Sequence, residues 1–135
     1  MEETRVNFET ASLAKEKGFD EECRYHHDIE FRELTNNHDF EPYRSSEIEN
    51  GFGKLNYPMI ATPTQTVLQT WLRETYKIHV TPRESYAFDN TLEYVCTVND
   101  IYVSHNNPKL PINRFPSWEE ALEIGLQEGL KLIKE

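Results

Sequence analysis

The stretch T-P-T-Q-T-V-L-Q-T-W-L-R-E-T-Y-K-I-H-V, residues 62–80, changes its apolar period partway along, and that change decides the fold class. Val67, Leu68, Trp71, Leu72 and Tyr76 recur at helical spacing. Thr62 and Gln65 have the spacing of a capping box, and Pro63 falls at the first helical position, where its missing N–H costs nothing. The pattern predicts a helix with Trp71 as its anchor in the core. Beyond Tyr76 the period becomes two: Ile78 and Val80 fall on one face of a strand. Pro82 then interrupts the ladder or marks a sheet edge.

Downstream, S-Y-A-F and T-L-E-Y-V-C-T-V flank Asp89-Asn90, which has the composition of a tight turn. Leu92, Tyr94, Cys96 and Val98 share one strand face; Glu93, Val95 and Thr97 share the other. Asn99-Asp100 predicts a second hairpin turn leading into I-Y-V-S. The C-terminal run P-S-W-E-E-A-L-E-I-G-L-Q-E-G-L-K-L-I-K-E reads as a helix. Ser117 and Glu120 form its capping box, and Leu122, Leu126, Leu130 and Ile133 run down one side below Trp118. Acids at its start and lysines at its end suit the helix dipole. Gly125 and Gly129, one turn apart, cost about 1 kcal/mol each relative to alanine and allow a neighbour to approach closely.

Upstream, N-F-E-T-A-S-L-A-K-E-K-G-F predicts a helix capped by Asn7, with Phe8, Ala11 and Ala14 on one face and Leu13 at its edge. Gly18 and Phe19 supply the C′ and C″ residues of a Schellman ending. In C-R-Y-H-H-D-I-E-F, residues 23–31, Cys23, Tyr25, His27, Ile29 and Phe31 alternate with polar residues, as one long strand or as a hairpin turning near Asp28. Residues 35–57 and 105–116 are loop-like; the first is a long loop or insertion, with room for a short strand around Phe40–Tyr43. The expected fold is a single α+β domain over residues 1–135. It has an antiparallel sheet of about four to five strands in α-β-β-α-β-β-β-α order, with three helices mainly on one face.

Three blocks carry a resemblance: A-K-E-K-G-F-D at 14–20, T-P-T-Q-T-V-L-Q-T-W-L-R-E at 62–74 followed by I-H-V, and the terminal W-E-E-A-L-E-I-G-L-Q-E-G-L-K-L-I. Together, and in this order, they resemble a set of small uncharacterised proteins of gut Bacteroidales and their phages. The resemblance covers the two ends and the centre of the chain. It implies a bacterial or phage cytoplasm and a compact α+β domain, and it carries no catalytic residues with it.

The chain of 135 residues is 37% hydrophobic and 12% aromatic, enough to build a core without staples. No apolar run approaches the ~20 residues of a membrane span. The acidic start M-E-E-T-R-V-N-F lacks the apolar stretch of a secretory signal, so the expected location is cytoplasmic. Cys23 and Cys96 belong to no C-x-x-C motif and read as buried reduced thiols. The net charge is −10, and residues 1–50 hold 14 acidic against 6 basic residues. Such a chain repels phosphate backbones, which argues against general nucleic-acid binding.

Motifs for chemistry are sparse. His26-His27-Asp28 is the one local histidine cluster, but adjacent strand residues face opposite ways and no paired zinc ligands accompany it. No G-x-S-x-G elbow is present, and Glu21 and Glu22 oppose activation of Cys23. Gly51-Phe52-Gly53-Lys54 lacks the phosphate-loop spacing. Glu119, Glu120 and Glu123 are explained by a helix start. Tyr25, Tyr86, Tyr94 and Tyr102 suit core and cross-strand packing, and any exposed remainder suits a protein-binding face. Arg73, Tyr76 and His79, at the junction of the central helix and its strand, are the first candidates for a ligand pocket. The leading expectation is a small non-enzymatic interaction or regulatory protein, monomeric or homodimeric, with a protein partner, no membrane association and no cofactor. The alternative is a small-ligand-binding domain or enzyme.

Overall fold

The computed structural model describes residues 4–23, 25–28, 34–36, 59–86, 89–105 and 113–134. The chain divides into two compact units, Met1–Thr64 and Gln65–Glu135. Both combine helix with antiparallel sheet, which gives the α+β class read from the sequence.

In the first unit, helix α1 spans Phe8–Glu16. The Asn7 side chain accepts a hydrogen bond from the Thr10 N–H at 2.9 Å, as expected of an N-cap. At the other end Gly18 sits at φ 100°. The Gly18 N–H reaches the Lys15 carbonyl and the Phe19 N–H reaches the Ala14 carbonyl, completing the Schellman ending. Phe19 is thereby turned into the core, 1% exposed.

Strand β1, Tyr25–Asp28, lies between β2, Leu34–Asn36, and β3, Met59–Thr62, in a three-stranded antiparallel sheet ordered β2-β1-β3. His27 is opposite Leu34 on one side and Ile60 on the other. Of the stretch at 23–31, residues 25–28 form β1, still paired at Asp28; β2 lies beyond the stretch at 34–36, and residues 29–31, on which the choice between one strand and a hairpin rests, lie outside the described residues. The chain start adds to this unit through an antiparallel bridge from Arg5 to Thr64, and the Val6 N–H donates to the Pro63 carbonyl. The expected short strand at Phe40–Tyr43, the turn at residues 51–54 and most of the loop at 35–57 lie outside the described residues.

The second unit begins with helix α2, Gln65–Tyr76. The capping box expected at Thr62 and Gln65 does not form. Thr62 is the last residue of β3, paired with Tyr25, and the Gln65 amide donates instead to the Glu119 carbonyl and Glu123 Oε1. Tertiary pairing has claimed both capping groups, so the helix starts later than its local signal. Trp71 is not the core anchor either. Leu68 and Leu72 are fully buried, whereas Trp71 is half-buried with its ring edge-on to Tyr76 at 5.3 Å. Gln65, Leu68 and Leu72 form the buried stripe, and the rotation of about 100° per residue carries Trp71 and Val67 off it. Helix α2 closes with Lys77 at φ 58°, whose N–H returns to the Arg73 carbonyl.

Strands β4, Val80–Tyr86, β5, Leu92–Val98, and β6, Ile101–Tyr102, form a second antiparallel sheet ordered β4-β5-β6. Among the described residues, six strands in two sheets thus stand where one smaller sheet was expected; β2, at the start of the stretch read as a loop, and β3 are the strands without a sequence signal. Asn99 and Asp100, both at positive φ, make the tight turn between β5 and β6. The Asn99 N–H donates to the His79 carbonyl, so odd-numbered residues of β4 point their backbone groups toward β5, while Pro82 turns its backbone away from β5 with its ring buried. Pro82 therefore lies on an edge strand where its missing N–H breaks no ladder bond. The Gln69 amide covers the neighbouring Val80 carbonyl at 2.6 Å. Phe115 exchanges both backbone hydrogen bonds with Tyr94, which ties the end of the 105–116 segment to β5.

Helix α3, Trp118–Lys131, packs on this sheet. The Ser117 hydroxyl accepts from the Glu120 N–H at 3.2 Å, as predicted. Leu122, Leu126, Leu130 and Ile133 are buried, while Trp118 remains 43% exposed. A Cβ added at Gly125 would lie 2.4 Å from Cys96 Sγ and 2.8 Å from a Val80 methyl. The glycine is what lets the helix rest on the sheet at this point.

Candidate functional site

Among the described residues, a cleft lies at the corner of the second unit where β6 meets the end of α3. The tight Asn99-Asp100 turn folds β6 back along β5, and the Val103 N–H then donates to the Cys96 carbonyl at 2.9 Å. This places Val98, Ile101 and Val103 beside the last turn of α3. There Leu132 stands off the buried stripe of the helix. Between them is a cleft of about 240 Å³, lined by these four residues with Tyr102, Ser104 and Glu128.

The floor is buried: Val98 and Val103 are 5% and 6% exposed. The walls are not: Ile101 is 72% exposed and Leu132 51%. Large apolar side chains standing in water over an apolar floor are uncommon as a contiguous group on a monomer surface and mark contact sites. The polar lining is restrained. Glu128 pairs with Lys131 at 3.2 Å, and the Tyr102 hydroxyl accepts from Arg83 at 3.0 Å. Among the described lining residues Glu128 is the one carboxylate, and it pairs with Lys131 rather than with a second acid. Small-molecule pockets generally span about 300–1,000 Å³. This cleft is of the size that receives one or two side chains.

The residues singled out from the sequence lie elsewhere. Arg73 and His79 are exposed, and neither side chain is joined to the other or to Tyr76 by a hydrogen bond, ion pair or ring contact. The backbone of His79 is held by the Asn99 side-chain oxygen at 2.8 Å. Tyr76 packs its ring against Trp71. These positions have structural duties: the Arg73 carbonyl closes the helix and His79 anchors the β5–β6 turn.

His26 and His27 are both buried. His27 Nδ1 is hydrogen-bonded to Thr62 Oγ1 at 2.6 Å, and the Ile60 carbonyl lies 3.2 Å from the same hydroxyl. The Phe8 ring meets the imidazole edge-on at 5.8 Å. Burial pushes the His27 pKa below its ordinary value, so the ring is neutral at pH 7. Among the described residues, no group of three or more His, Cys, Asp or Glu is placed to hold a metal. Cys23 and Cys96 are free and buried, and burial pushes both thiols up to about 12. Neither supplies a thiolate near neutral pH.

A second group of polar residues braces the far side of the second sheet. Arg114 donates to the Ser85 hydroxyl and lies 3.7 Å from Glu93, and the His105 ring donates to the Arg114 carbonyl at 2.8 Å. Ser85 on β4 and Glu93 on β5 thus hold the chain around Phe115 to the sheet. Sequence reasoning reached the hairpin and the aromatic strand residues but not the cleft. The available signal was Leu132, an apolar residue off the helix stripe, two residues beyond Leu130. Among the described residues, no helix is long and apolar enough to cross a membrane. No known protein family, curated protein or solved structure matches this chain.

Proposed function

We propose that this protein is a small interaction or regulatory module of a bacterial or phage cytoplasm. It acts by docking a partner protein at the β6–α3 cleft. The observation that carries this reading is the exposure of Ile101 and Leu132 above the buried floor of Val98 and Val103. Apolar anchors around a shallow notch, with a polar rim, are the usual anatomy of a protein contact. The charge of −10 supports a protein partner over nucleic acid or an anionic lipid surface, both of which it repels.

The test is recovery of the full chain from its native host, with a photo-crosslinking residue placed beside the cleft at Ser104. A stoichiometric protein crosslinked by the parent chain and lost with Ile101→Asp is the expected result. Thermal melting checks that the variant keeps its fold. Recovery of no stoichiometric partner, or equal recovery with Ile101→Asp, overturns the reading. Light scattering on the purified chain separates a foreign partner from a second copy.

A further inference from the structure

The opposite end of α3 leaves a different surface open. The helix begins at Trp118, over Tyr94, with the two rings edge-to-face at 6.5 Å. The β4–β5 hairpin continues beyond that point. Its last two cross-strand pairs on the helix side are Glu84 opposite Tyr94 and Tyr86 opposite Leu92. Inward backbone groups at odd β4 positions make both of these non-hydrogen-bonded pairs, in which facing side chains lie closest. The outcome is a strip of Tyr86, Leu92, Tyr94 and Trp118, with Tyr86 64%, Trp118 43% and Leu92 40% exposed.

The rim of this strip is acidic. Glu84 stands between the tyrosines, Glu119 and Glu120 follow Trp118, and Asp89 lies in the turn at the end of the hairpin; all four are exposed. The Asp89 carboxylate is held below its ordinary range by hydrogen bonds from Thr91. The nearest described arginines, Arg83 and Arg114, are engaged from the other face of the sheet by Tyr102, Ser85 and Glu93. Aromatic faces are electron-rich and attract guanidinium and ammonium groups, and a carboxylate beside the ring adds a partner for the same cation.

We infer that the strip of Tyr86, Leu92, Tyr94 and Trp118, with Glu84 at its centre, docks a basic segment of a partner protein. An arginine or lysine of that segment stacks on the exposed rings and pairs with Glu84. Leu92 takes the apolar neighbour of that residue. Charge selects the occupant: an acidic peptide and a phosphate backbone meet the same carboxylates as repulsion. This surface is separate from the β6–α3 cleft and does not depend on it.

The experiment uses the isotopically labelled full chain and a synthetic Arg-Pro repeat peptide, followed through backbone amide shifts. The expected shifts fall on residues 84–86, 92–94 and 117–120, and they weaken as salt is added. Glu84→Lys and Tyr86→Ser, both at exposed positions, each weaken binding about tenfold. Ile101→Asp leaves it unchanged, so failure here is distinguishable from failure of the cleft. A Glu-Pro peptide of equal length is expected not to bind. Absent binding, shifts confined to other acidic residues, or affinity unaltered by both strip variants overturn the inference. So does equal binding of the Glu-Pro peptide or of oligo-dT.

Discussion

The two units are made from the same ingredients but held together differently. In the first, the described core includes Thr10, His26, His27, Thr62 and Thr64 beside Val6, Ala14, Phe19 and Ile60. In the second, buried polar side chains among the described residues reduce to Gln65 and Thr97, and Leu68, Leu72, Leu122, Leu126 and Leu130 dominate. A buried polar group stabilises only while its hydrogen bonds are kept, whereas buried leucine stabilises through packing and removal from water. The first unit is therefore sensitive to protonation and the second to changes of volume.

The largest effect expected from this contrast is at Leu126, which is fully buried in the second unit. Leu126→Ala removes apolar burial and leaves a cavity, at a cost of about 2–5 kcal/mol. Urea denaturation measures it, with the midpoint falling and the slope unchanged. A loss below about 1 kcal/mol would mean that the α3 interface collapses freely around the gap, and the packing account of this unit would fail.

Gly125→Ala is expected to cost about 1–3 kcal/mol despite the better helix propensity of alanine. The new methyl group meets Cys96 Sγ and Val80 at distances that force the helix or sheet to shift. Adding Cys96→Ala removes the nearer obstacle, so a double-mutant cycle should return a favourable coupling of about 1 kcal/mol. Strict additivity of the two changes would sink the close-approach explanation. It would also leave the glycine pair without a structural reason.

The smallest effect, and the one that separates the units by condition, is the response to acid. Burial lowers the His27 pKa from 6.5 in the folded state. Below 6.5 the unfolded chain binds a proton that folded His27 resists. Its contribution is therefore complete above about pH 6.5 and is lost as pH falls toward the folded value, by at most about 1.4 kcal/mol per pH unit. Amide exchange at His27, Ile60 and Thr62 should accelerate over that window relative to exchange at Leu68 and Leu126, after correction for intrinsic rates. His27→Phe should flatten the difference. Equal acid sensitivity in the two units, or no change with His27→Phe, would erase the distinction.

Much of the local architecture is legible in the sequence. Asn7, Gly18 with Phe19, Ser117 and the Asn99-Asp100 turn all act through neighbours a few residues away, and all take the expected roles. Expectation and structure part where a residue has both a local offer and a distant one. Thr62 and Gln65 match a capping box, yet His27 and α3 engage their side chains instead. Trp71 has the bulk of an anchor, but the angular position of Leu68 and Leu72 decides which face is buried. The candidate site divides in the same way. Arg73, Tyr76 and His79 stand out for their chemistry at a helix–strand junction; the structure engages the backbones of Arg73 and His79 in turns and sets the Tyr76 ring against Trp71, without bringing the three side chains together. Ile101 and Leu132 are ordinary in one dimension and become a cleft only when β6 and α3 end side by side.

By itself, then, the sequence determined the periods, caps and tight turns, because those depend on spacings within a few residues and on the φ preferences of glycine and asparagine. It also set the acidic net charge, which repels phosphate backbones. Only the tertiary structure decided that the strands fall into two sheets, that α3 stops short of the hairpin it covers, and which apolar side chains remain in water. Those outcomes depend on how much surface each element hides on the others, and residues far apart in the chain make that choice together.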